Sequence, residues 1–310
     1  MKILVTGGAG FIGSNIVDRY LAEGHDVAIL DNLSTGRREN INPKARLYEV
    51  DIRDWDRVLE VFATERPQIL NHHAAQMDVR RGVEDPAFDA ATNIVGSIYL
   101  FEAALRNGIE KVIYASSGGA CYGEPDIMPA PETAGIHPIS QYGISKHTVE
   151  HYLWLYNYND GLRYTVLRYA NVYGPRQNPH GEAGVTAIFS GMMLRGEQPR
   201  IFGKGDKTRD YVYVADVVQA NVLALTRGDN DIFNIGTGVE TSDQEVYDGI
   251  AAATGYTKPA EYADERKGEI RRTALDARKA KEVLGWEPSV NFRQGCQLAV
   301  DYVRSRQAAK

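Results

Sequence analysis

The sequence predicts an α/β protein whose core is a doubly wound parallel sheet, followed by a smaller α/β lobe. Short apolar runs of strand type alternate with helical patterns over roughly the first 115 residues. A glycine-rich turn connects the first run to the first helix. The alternation breaks after residue 170, so we expect a first domain at 1–170 and a second at 171–310. A segment near 211–236 is expected to return to the first domain.

The composition is that of an ordinary folded protein, and it argues against several classes. Of the 310 residues, 43% are hydrophobic and 25% charged, which suits a globular chain large enough for two lobes. The net charge of -6 argues against a general nucleic-acid surface. Two cysteines, a first strand that starts beside Met1 and the lack of an apolar run of roughly 18 residues predict a cytoplasmic protein without a membrane span.

The first element is a strand, a turn and a helix in the order that a dinucleotide site requires. An apolar strand at 2–6 runs into Gly7, Gly10 and Gly13, and apolar residues at helical spacing follow over 14–21. Glycines at this spacing permit a tight turn, let backbone N–H groups approach a pyrophosphate and let the helix pack on the sheet. The positive end of the helix dipole then faces the phosphates. We therefore predict a Rossmann-type sheet.

The second strand, at 25–31, ends in an acidic residue that favours NAD over NADP. Asp31 lies about 20 positions beyond the glycines, where a carboxylate accepts hydrogen bonds from the adenosine ribose and repels a 2′-phosphate. Arg37 and Arg38 are the counter-argument, because a nearby arginine can accommodate that phosphate. We interpret both arginines as loop or pyrophosphate-side charges and predict NAD.

The third and fourth strands are expected at 46–52 and 68–72. Asp51 and Ile52 would lie near the adenine, because ligands bind beyond the carboxyl ends of parallel strands. A turn-forming aspartate before the next helix is an equal alternative for Asp51. The histidines at 72–73 have no further ligand at metal-binding spacing, so no metal site is predicted.

A long helix at 92–105 and a fifth strand at 111–116 extend the predicted sheet. The helix carries aliphatic residues on one face, and the strand runs into Ser116 and Ser117. Five strands alternating with helices specify a doubly wound sheet whose strand-end loops open on one crevice.

The residues predicted to carry the chemistry follow on the next helix. Ser140 suits the N-cap, and Tyr142 and Lys146 fall at i and i+4 on one face. In isolation, a tyrosine pinned to the sheet beside a solvent-seeking lysine explains this pair better. Here the pair follows a complete dinucleotide-binding half and a serine-bearing strand end. A Ser, a Tyr and a Lys near a nicotinamide form a proton-transfer device.

Motifs along nearly the whole chain, in order, are similar to those of one enzyme family. They lie at 7–13, 31–34, 73–76, 93, 116–117, 142–146, 167–176, 209–216 and 233–238. With them the chain resembles the extended short-chain dehydrogenases/reductases. Among these it resembles the nucleotide-sugar epimerases, most closely the UDP-glucose (UDP-galactose) 4-epimerase family.

The resemblance implies an NAD-dependent isomerase that inverts C4 of a UDP-sugar. Hydride leaves C4 for NAD while a base removes the O4 proton, the 4-keto sugar turns over, and hydride returns to its other face. Tyr142 is the implied base and acid, Lys146 its tuner, and Ser117 the hydrogen-bond partner or proton relay at O4. Lowering a phenol pKa by about three units requires about 4 kcal/mol, which Lys146 and the positive nicotinamide ring are expected to supply.

Two ways of aligning the loop after the fifth strand give different positions for the catalytic serine. Relatives often have the catalytic Ser or Thr three residues before a Val-Tyr-Gly triplet, and this count lands on Gly118. Counting forward from the strand lands on Ser117, so the loop carries one extra glycine. The alternative relay is Ser116 or water.

The motifs imply two sets of contacts. The cofactor contacts are Gly7, Gly10, Phe11, Ile12, Gly13, Asp31, Asn32, Ser34, Thr35, Gly36, Asp51, Ile52, Ala74, Ala75, Gln76, Asn93, Ser116, Tyr142, Lys146 and Tyr169. The substrate contacts are Ser117, Tyr142, Asn171, Arg209, Arg266 and Glu269. By resemblance, Asn171 and Arg209 contact the diphosphate, and Arg266 with Glu269 reaches phosphate and uridine ribose. A local ion pair between Arg209 and Asp210 is the alternative for that arginine.

Three other functions are weaker alternatives. The glycines at 118–119 replace the acidic pair of dTDP-glucose 4,6-dehydratases, which counts against dehydration. Arg80 and Arg81 could favour a carboxylated sugar, as in a UDP-glucuronate 4-epimerase, or could be a solvated helix start. A dinucleotide-binding regulator without turnover need not retain the Tyr and Lys, so their presence favours catalysis.

The assembly is also predicted from the resemblance. The helices at 92–106 and 142–158 carry apolar residues beyond what one sheet face can cover, including Tyr152, Leu153 and Tyr156. In relatives the equivalent helices pair across a two-fold axis into a four-helix bundle. We therefore predict a homodimer.

Overall fold

The computed structural model describes residues 1–179, 184–265 and 270–308. Its strands are β1 Lys2–Thr6, β2 Asp26–Asp31, β3 Arg46–Glu49, β4 Ile69–His72, β5 Lys111–Ser117, β6 Arg163–Tyr169, β7 Asn171–Tyr173, β8 Arg200–Phe202, β9 Thr208–Tyr213, β10 Asp231–Ile235, β11 Glu240–Ser242 and β12 Glu261–Ala263. Seven of them form one sheet in the order β10-β6-β5-β4-β1-β2-β3, with every neighbouring pair parallel.

Helices cover both faces of this sheet and fill the second lobe. They are α1 Phe11–Ala22, α2 Trp55–Glu65, α3 Val79–Glu84, α4 Pro86–Ala90, α5 Gly96–Arg106, α6 Gly118–Tyr122, α7 Gln141–Asp160, α8 Val185–Leu194, α9 Val214–Ala224, α10 Asp243–Thr254 and α11 Phe292–Ala308. The predicted helix at 92–105 is one helical run whose first part, Ala91–Val95, is π-helical.

The apolar run of β1 is continuous because both sheet faces are buried. Ile3 and Val5 belong to the core cluster that includes residues of α1 and α9, whereas Leu4 belongs to the cluster on the opposite face with residues of α2, α5 and α7. The alternation along one strand thus supplies both cores. The predicted doubly wound α/β fold is confirmed.

The order of the sheet determines where a ligand can bind. From β1 the chain continues to β2 and β3 on one side, and β4, β5 and β6 follow on the other. Connections that leave in opposite directions open a crevice beyond the carboxyl ends of β1 and β4. The glycine turn and the end of β5 both lie at this edge.

The later part of the chain adds one strand to this sheet and builds a second core. β10 pairs with β6, while β7, β9 and β11 form a separate sheet, and β8 pairs with β12. A third cluster, rich in aromatic residues, includes Tyr173, Phe189, Tyr211 and Tyr247. The domain boundaries at 1–170 and 171–310, with a return near 211–236, stay a prediction.

One expectation about the helix surfaces is wrong. The sequence places Leu153 on an uncovered apolar face, but it is fully buried in the core, and Tyr156 packs against the same cluster. Helical periodicity is the reason, because Leu153 lies seven residues after Lys146 on the inner face of α7. The exposed apolar residues of α7 are Ile144, Trp154, Leu155 and Tyr158.

Among the described residues, none of the helices has the length and apolar character needed to cross a membrane.

Candidate active site

The glycine turn after β1 presents backbone as its inner surface. Gly7 has a φ of 68°, and a β-carbon there would lie 2.8 Å from the Ala74 nitrogen. A β-carbon on Gly13 would lie 2.3 Å from the Gly7 carbonyl oxygen, so a larger residue does not fit. Gly10 is the N-cap of α1, and within the described ranges no side chain caps this end. The N–H groups at 11–13 are therefore directed at an incoming anion.

Asp31 lies against this turn at the end of β2. Its Oδ2 accepts a hydrogen bond from the Ala9 N–H at 3.0 Å, and its Oδ1 accepts one from the Leu33 N–H at 2.8 Å. Burial raises the pKa of Asp31, and these two N–H donors oppose that shift. The loop therefore orients a carboxylate beside the glycine turn, where the sequence places the ribose acceptor.

The loop after Asp31 is connected to the end of the third strand. The Ser34 N–H donates to Asn32 Oδ1, and Asn32 Nδ2 donates to Asp51 Oδ2, both at 3.0 Å. Hydrogen bonds from Arg53 lower the pKa of Asp51 to about 2. Thr35 and Gly36 continue the loop, and Ile52 is buried against Gly96 of α5. Asp51 thus makes a turn contact with Arg53. It also accepts a hydrogen bond from Asn32, in the loop predicted to bind the adenosine ribose.

A buried polar network holds the loop after β4. Thr6 Oγ1 accepts a hydrogen bond from the Ala74 N–H at 3.1 Å and lies 2.7 Å from His72 Nδ1. The backbone of Gln76 and the side chain of Asn93 bond each other in both directions, each at 2.8 Å. Asn93 lies in the π-helical turn, a feature often found at functional sites. The backbone of the Ala74–Ala75–Gln76 loop is thereby fixed from two sides.

The adjacent histidines belong to this network. His72 also lies 2.8 Å from Ser97 Oγ, and burial lowers its pKa well below the ordinary value. His73 Nε2 lies 3.0 Å from the Tyr169 hydroxyl, which also accepts a hydrogen bond from Asn221, and burial lowers the His73 pKa to about 3. In the part of the chain that the structure describes, no group of three or more His, Cys, Asp or Glu side chains could hold a metal ion.

Tyr142 and Lys146 lie in the first turns of α7, whose N-cap is Ser140 as predicted. Lys146 Nζ donates to the Ala115 carbonyl oxygen at 2.8 Å and lies 5.7 Å from the centre of the Tyr142 ring. It also lies 4.8 Å from the centre of the Tyr114 ring. The ammonium is therefore held between the end of β5 and the phenol of Tyr142.

Burial acts on the two groups in opposite directions. It raises the pKa of Tyr142, with Cys121 and Asp89 adding to the shift, and it lowers the pKa of Lys146 to about 8. The lower pKa that the sequence predicted for Tyr142 is therefore not produced by the side chains of this chain alone. A phenolate at neutral pH requires positive charge beyond that of Lys146.

The two serines at the end of β5 have different surroundings. Ser116 is buried, and its hydroxyl donates to Glu150 Oε1 at 2.6 Å. Ser117 caps α6, since its Oγ accepts a hydrogen bond from the Ala120 N–H at 3.3 Å. The start of α7 packs against α6 so closely that a β-carbon on Gly143 would lie 2.3 Å from the Ala120 oxygen. Ser117 and Tyr142 are thus on elements in direct contact.

Beneath these residues lies a buried ion pair that the sequence analysis missed. Arg168 of β6 bonds both oxygens of Glu150, at 2.9 and 2.6 Å, and donates to the Tyr122 hydroxyl at 2.7 Å. Burial raises the pKa of Glu150, but the hydrogen bonds and charge of Arg168, together with hydrogen bonds from His147 and Ser116, lower it to about 2. The available signal was the spacing, because Glu150 lies four residues after Lys146 on the same face of α7.

Two predicted substrate residues come from neighbouring strands of the second sheet. Asn171 begins β7, and Arg209 lies in β9, with Asn171 paired to Tyr211. The Asn171 side-chain oxygen lies 3.7 Å from the position that a β-carbon on Gly119 would occupy. This brings Asn171 to the first turn of α6, directly after Ser117.

Arg209 does not form the local ion pair considered as its alternative. Its guanidinium donates to the Thr208 carbonyl oxygen at 2.8 Å. The carboxylate of Asp210 instead accepts hydrogen bonds from Thr237, Gly238 and the Leu275 N–H. The guanidinium is therefore not neutralised by its neighbour in sequence.

The remaining predicted substrate residues, Arg266 and Glu269, lie outside the described residues. Arg80 and Arg81 are at the start of α3, where their N–H groups are capped by Asp78. The Arg81 guanidinium stacks over the ring of Phe88 at 3.8 Å. These contacts account for the helix-start interpretation of the two arginines.

Comparison with known proteins agrees with this geometry. The sequence profile described as the NAD dependent epimerase/dehydratase family matches residues 3–236. A putative UDP-glucose 4-epimerase of Methanocaldococcus jannaschii is 48% identical over 303 residues, covering 98% of each chain. The crystal structure of UDP-glucose 4-epimerase from Thermotoga maritima with UDP-glucose superimposes with a TM-score of 0.98 at 51% identity, covering 99% of this chain and 100% of that one. The UDP-glucose 4-epimerase of Thermus thermophilus in complex with NAD gives 0.93 at 45% identity, covering 98% and 99%.

The similarity extends over the entire length of these proteins rather than over the dinucleotide half alone. It therefore includes the glycine turn, the helix that carries Tyr142 and Lys146, and the second lobe. The chain belongs to the NAD dependent epimerase/dehydratase family.

Proposed function

We propose that this protein interconverts UDP-glucose and UDP-galactose, inverting C4 through a transient 4-keto sugar with NAD as cofactor. The observation that carries the proposal is the position of Tyr142 and Lys146, at the edge where β1 and β4 open the crevice and against the end of β5. The relatives named as UDP-glucose 4-epimerases, one crystallised with UDP-glucose and one with NAD, support the same reaction.

The crevice fits NAD in its backbone and its charge. The uncapped first turn of α1 suits a pyrophosphate, and the glycines leave it close access. Asp31 suits ribose hydroxyls and disfavours a 2′-phosphate. The proposed cofactor contacts remain Gly7, Gly10, Phe11, Ile12, Gly13, Asp31, Asn32, Ser34, Thr35, Gly36, Asp51, Ile52, Ala74, Ala75, Gln76, Asn93, Ser116, Tyr142, Lys146 and Tyr169.

Bound NAD supplies the hydride acceptor and donor at C4. Tyr142 takes the O4 proton and later returns it. Lys146 uses one N–H on Ala115, and the other two donors of an ammonium suit the nicotinamide ribose and the phenolate. Because burial raises the pKa of Tyr142, the phenol becomes a base near neutral pH only if the positive nicotinamide ring of bound NAD adds its charge to that of Lys146.

The proposed proton relay is Ser117 rather than Ser116. Successive residues of a strand point to opposite faces, and Ser116 donates its hydroxyl proton to the buried Glu150. Ser117 caps α6 by accepting a hydrogen bond, so its own proton can still be donated toward O4.

The second lobe supplies the groups for the diphosphate. Asn171 and Arg209 lie on adjacent strands, Asn171 approaches α6 just after Ser117, and an arginine fork matches phosphate oxygens. Arg266 and Glu269 are proposed for phosphate and uridine ribose from the resemblance alone. As part of this proposal, residues 1–170, with the return near 211–236, form the NAD-binding domain, and residues 171–310 form the nucleotide-sugar-binding domain.

We further propose a cytoplasmic homodimer that pairs α5 and α7 with their copies. Trp154 and Tyr158 stack on each other with ring centres 5.5 Å apart, although 56% and 75% of these residues are exposed. Aromatic rings left in water on a long helix are typical of an interface. The two buried free cysteines suit a reducing compartment.

The direct test is sugar analysis after incubating purified protein with UDP-galactose. We expect UDP-glucose to accumulate to equilibrium and bound NAD to be found by mass spectrometry. UDP-glucuronate and UDP-N-acetylglucosamine serve as competing substrates. Turnover of UDP-glucuronate alone would reassign the sugar, and NAD binding without turnover of any nucleotide sugar would leave only a binding protein.

A further inference from the structure

The outer part of α7 carries two histidines that the proposed reaction does not use. His147 and His151 lie one helical turn apart, and their Nε2 atoms are 3.1 Å from each other. The ring planes meet at 68° with centres 4.5 Å apart. His151 is exposed and His147 is half-buried. We call these two residues the histidine pair.

A carboxylate determines which nitrogen of His147 faces its neighbour. His147 Nδ1 lies 3.0 Å from Glu150 Oε2, and Glu150 is ionised because Arg168 binds it. An ionised carboxylate only accepts, so we assign the proton of His147 to Nδ1. Its Nε2 then presents a lone pair to His151, whose Nε2–H donates into it. One proton therefore bridges the two imidazoles.

The distance between these nitrogens is that of a metal chelate. Imidazole nitrogen binds Zn²⁺ at about 2.0–2.1 Å, so two such ligands at octahedral or tetrahedral angles are about 2.9–3.4 Å apart. The observed 3.1 Å falls within this interval. An ion can bind both Nε2 lone pairs if the single proton of neutral His151 moves from Nε2 to Nδ1, the other tautomer, and this change requires no movement of the helix.

The outer partner of the pair is also in place. A histidine that binds a metal usually donates its second N–H to a carboxylate, which fixes the ring and raises the basicity of the binding nitrogen. Glu150 does this for His147, and Arg168 and Ser116 in turn hold Glu150. One ligand of the pair is thus preorganised by the buried network under the catalytic helix.

We propose that His147 and His151 bind a divalent first-row cation of the Zn²⁺, Ni²⁺ or Cu²⁺ type. Imidazole favours these ions over Mg²⁺ and Ca²⁺, and Cu²⁺ binds most tightly in the series. Two protein ligands leave the other positions of the ion to water or, in the proposed homodimer, to a second copy. The site is independent of the epimerase proposal, because neither histidine is assigned to NAD or to the sugar.

The test uses tag-free full-length protein with NiCl₂, ZnCl₂ and MgCl₂ in isothermal titration calorimetry. We expect saturable Ni²⁺ and Zn²⁺ binding at micromolar concentration and none with Mg²⁺. His151→Gln should weaken Ni²⁺ binding at least tenfold while leaving His147 and Glu150 together. The matched control is His25→Gln, because the Met1 amine lies 3.3 Å from His25 Nδ1 and makes the alternative chelate.

A spectroscopic measurement identifies the ligands directly. With one equivalent of Cu²⁺, electron paramagnetic resonance should show coupling to two imidazole nitrogens in the wild type and in His25→Gln, but not in His151→Gln. Loss of Ni²⁺ affinity in His25→Gln with none in His151→Gln would overturn the proposal. Equal affinity for Ni²⁺ in all three proteins would do the same. Unchanged epimerase activity in His151→Gln separates this result from the proposed function.

Discussion

The two faces of α7 differ in how they depart from an ordinary surface helix, although the inner face also buries the apolar Val149 and Leu153. The inner face carries Tyr142, Lys146 and Glu150 at four-residue spacing, with Lys146 and Glu150 buried. The outer face carries Ile144 and Leu155, which are 52% and 42% exposed. Ordinary amphipathic helices bury apolar side chains and expose charge. Burying a charge costs free energy, and leaving an apolar side chain in water gives up the free energy of burying it. Folding alone therefore does not explain the buried Lys146 and Glu150 or the exposed Ile144 and Leu155.

The difference shows that one helix serves two purposes. Its inner face places a phenol, an ammonium and a carboxylate under the crevice, and each charge there has a partner. The outer face keeps an apolar stripe that a second copy would cover. Substitutions on the inner face should therefore act on chemistry and folding, and those on the outer face on assembly.

The largest effect is expected from removing the Tyr142 hydroxyl. Tyr142→Phe should lower turnover of UDP-galactose by about 10²–10⁴, because it removes the general base while the ring still packs. The control is Tyr152→Phe, on the same helix and outside the crevice. Turnover within threefold of the wild type in Tyr142→Phe would move the base to another group.

The next effect concerns the buried ion pair. Glu150→Gln leaves the Arg168 guanidinium buried without a counter-charge and should lower the free energy of unfolding by about 3–5 kcal/mol. Urea denaturation measures this, with Glu102→Gln as the control, since among the described residues the hydrogen bond that Glu102 accepts comes from the neutral Tyr156 hydroxyl rather than from an arginine. An equal loss of unfolding free energy in the two variants would show that the buried Glu150–Arg168 pair stabilises the fold no more than the Glu102–Tyr156 hydrogen bond does.

The same Glu150–Arg168 ion pair predicts how the free energy of unfolding declines at acidic pH. The pKa of Glu150 falls from its ordinary value of 4.5 to about 2 in the folded protein. Its stabilisation is therefore complete above pH 4.5 and is lost as the pH falls toward 2. Between pH 6 and pH 3, the unfolding free energy should decline more steeply in the wild type than in Glu150→Gln. Parallel declines in the two proteins would contradict this assignment.

The smallest effect on folding is expected on the outer face. Leu155→Glu should change the unfolding free energy of the protomer by no more than about 0.5 kcal/mol, because the side chain already faces water. It should nevertheless convert the dimer to a monomer in light scattering at micromolar concentration. If the wild-type protein is itself a monomer, the proposal that the outer face of α7 forms a dimer interface is wrong.

The crevice was predictable because its determinants are local in the sequence. Gly7, Gly13 and Asp31 act through the backbone at strand ends, and a strand, a turn and a helix place them without knowledge of the rest. The partner of Glu150 was not predictable in this way, because Arg168 reaches it from another strand. The position of Leu153 does not follow from composition, because α7 is rich in aromatic and aliphatic residues on both faces. Only the helical period of about 3.6 residues shows that Leu153 faces the core.

β10, the last strand to join the seven-stranded sheet, has a consequence for how the chain folds during synthesis. β10 lies at the edge of the sheet beside β6, yet α8, β8 and β9 are synthesised between them. During translation, β6 therefore emerges from the ribosome with one row of backbone donors and acceptors open. A chain cut before residue 231 keeps Tyr142 and the glycine turn but offers a bare strand edge, and we expect it to form aggregates larger than the proposed dimer.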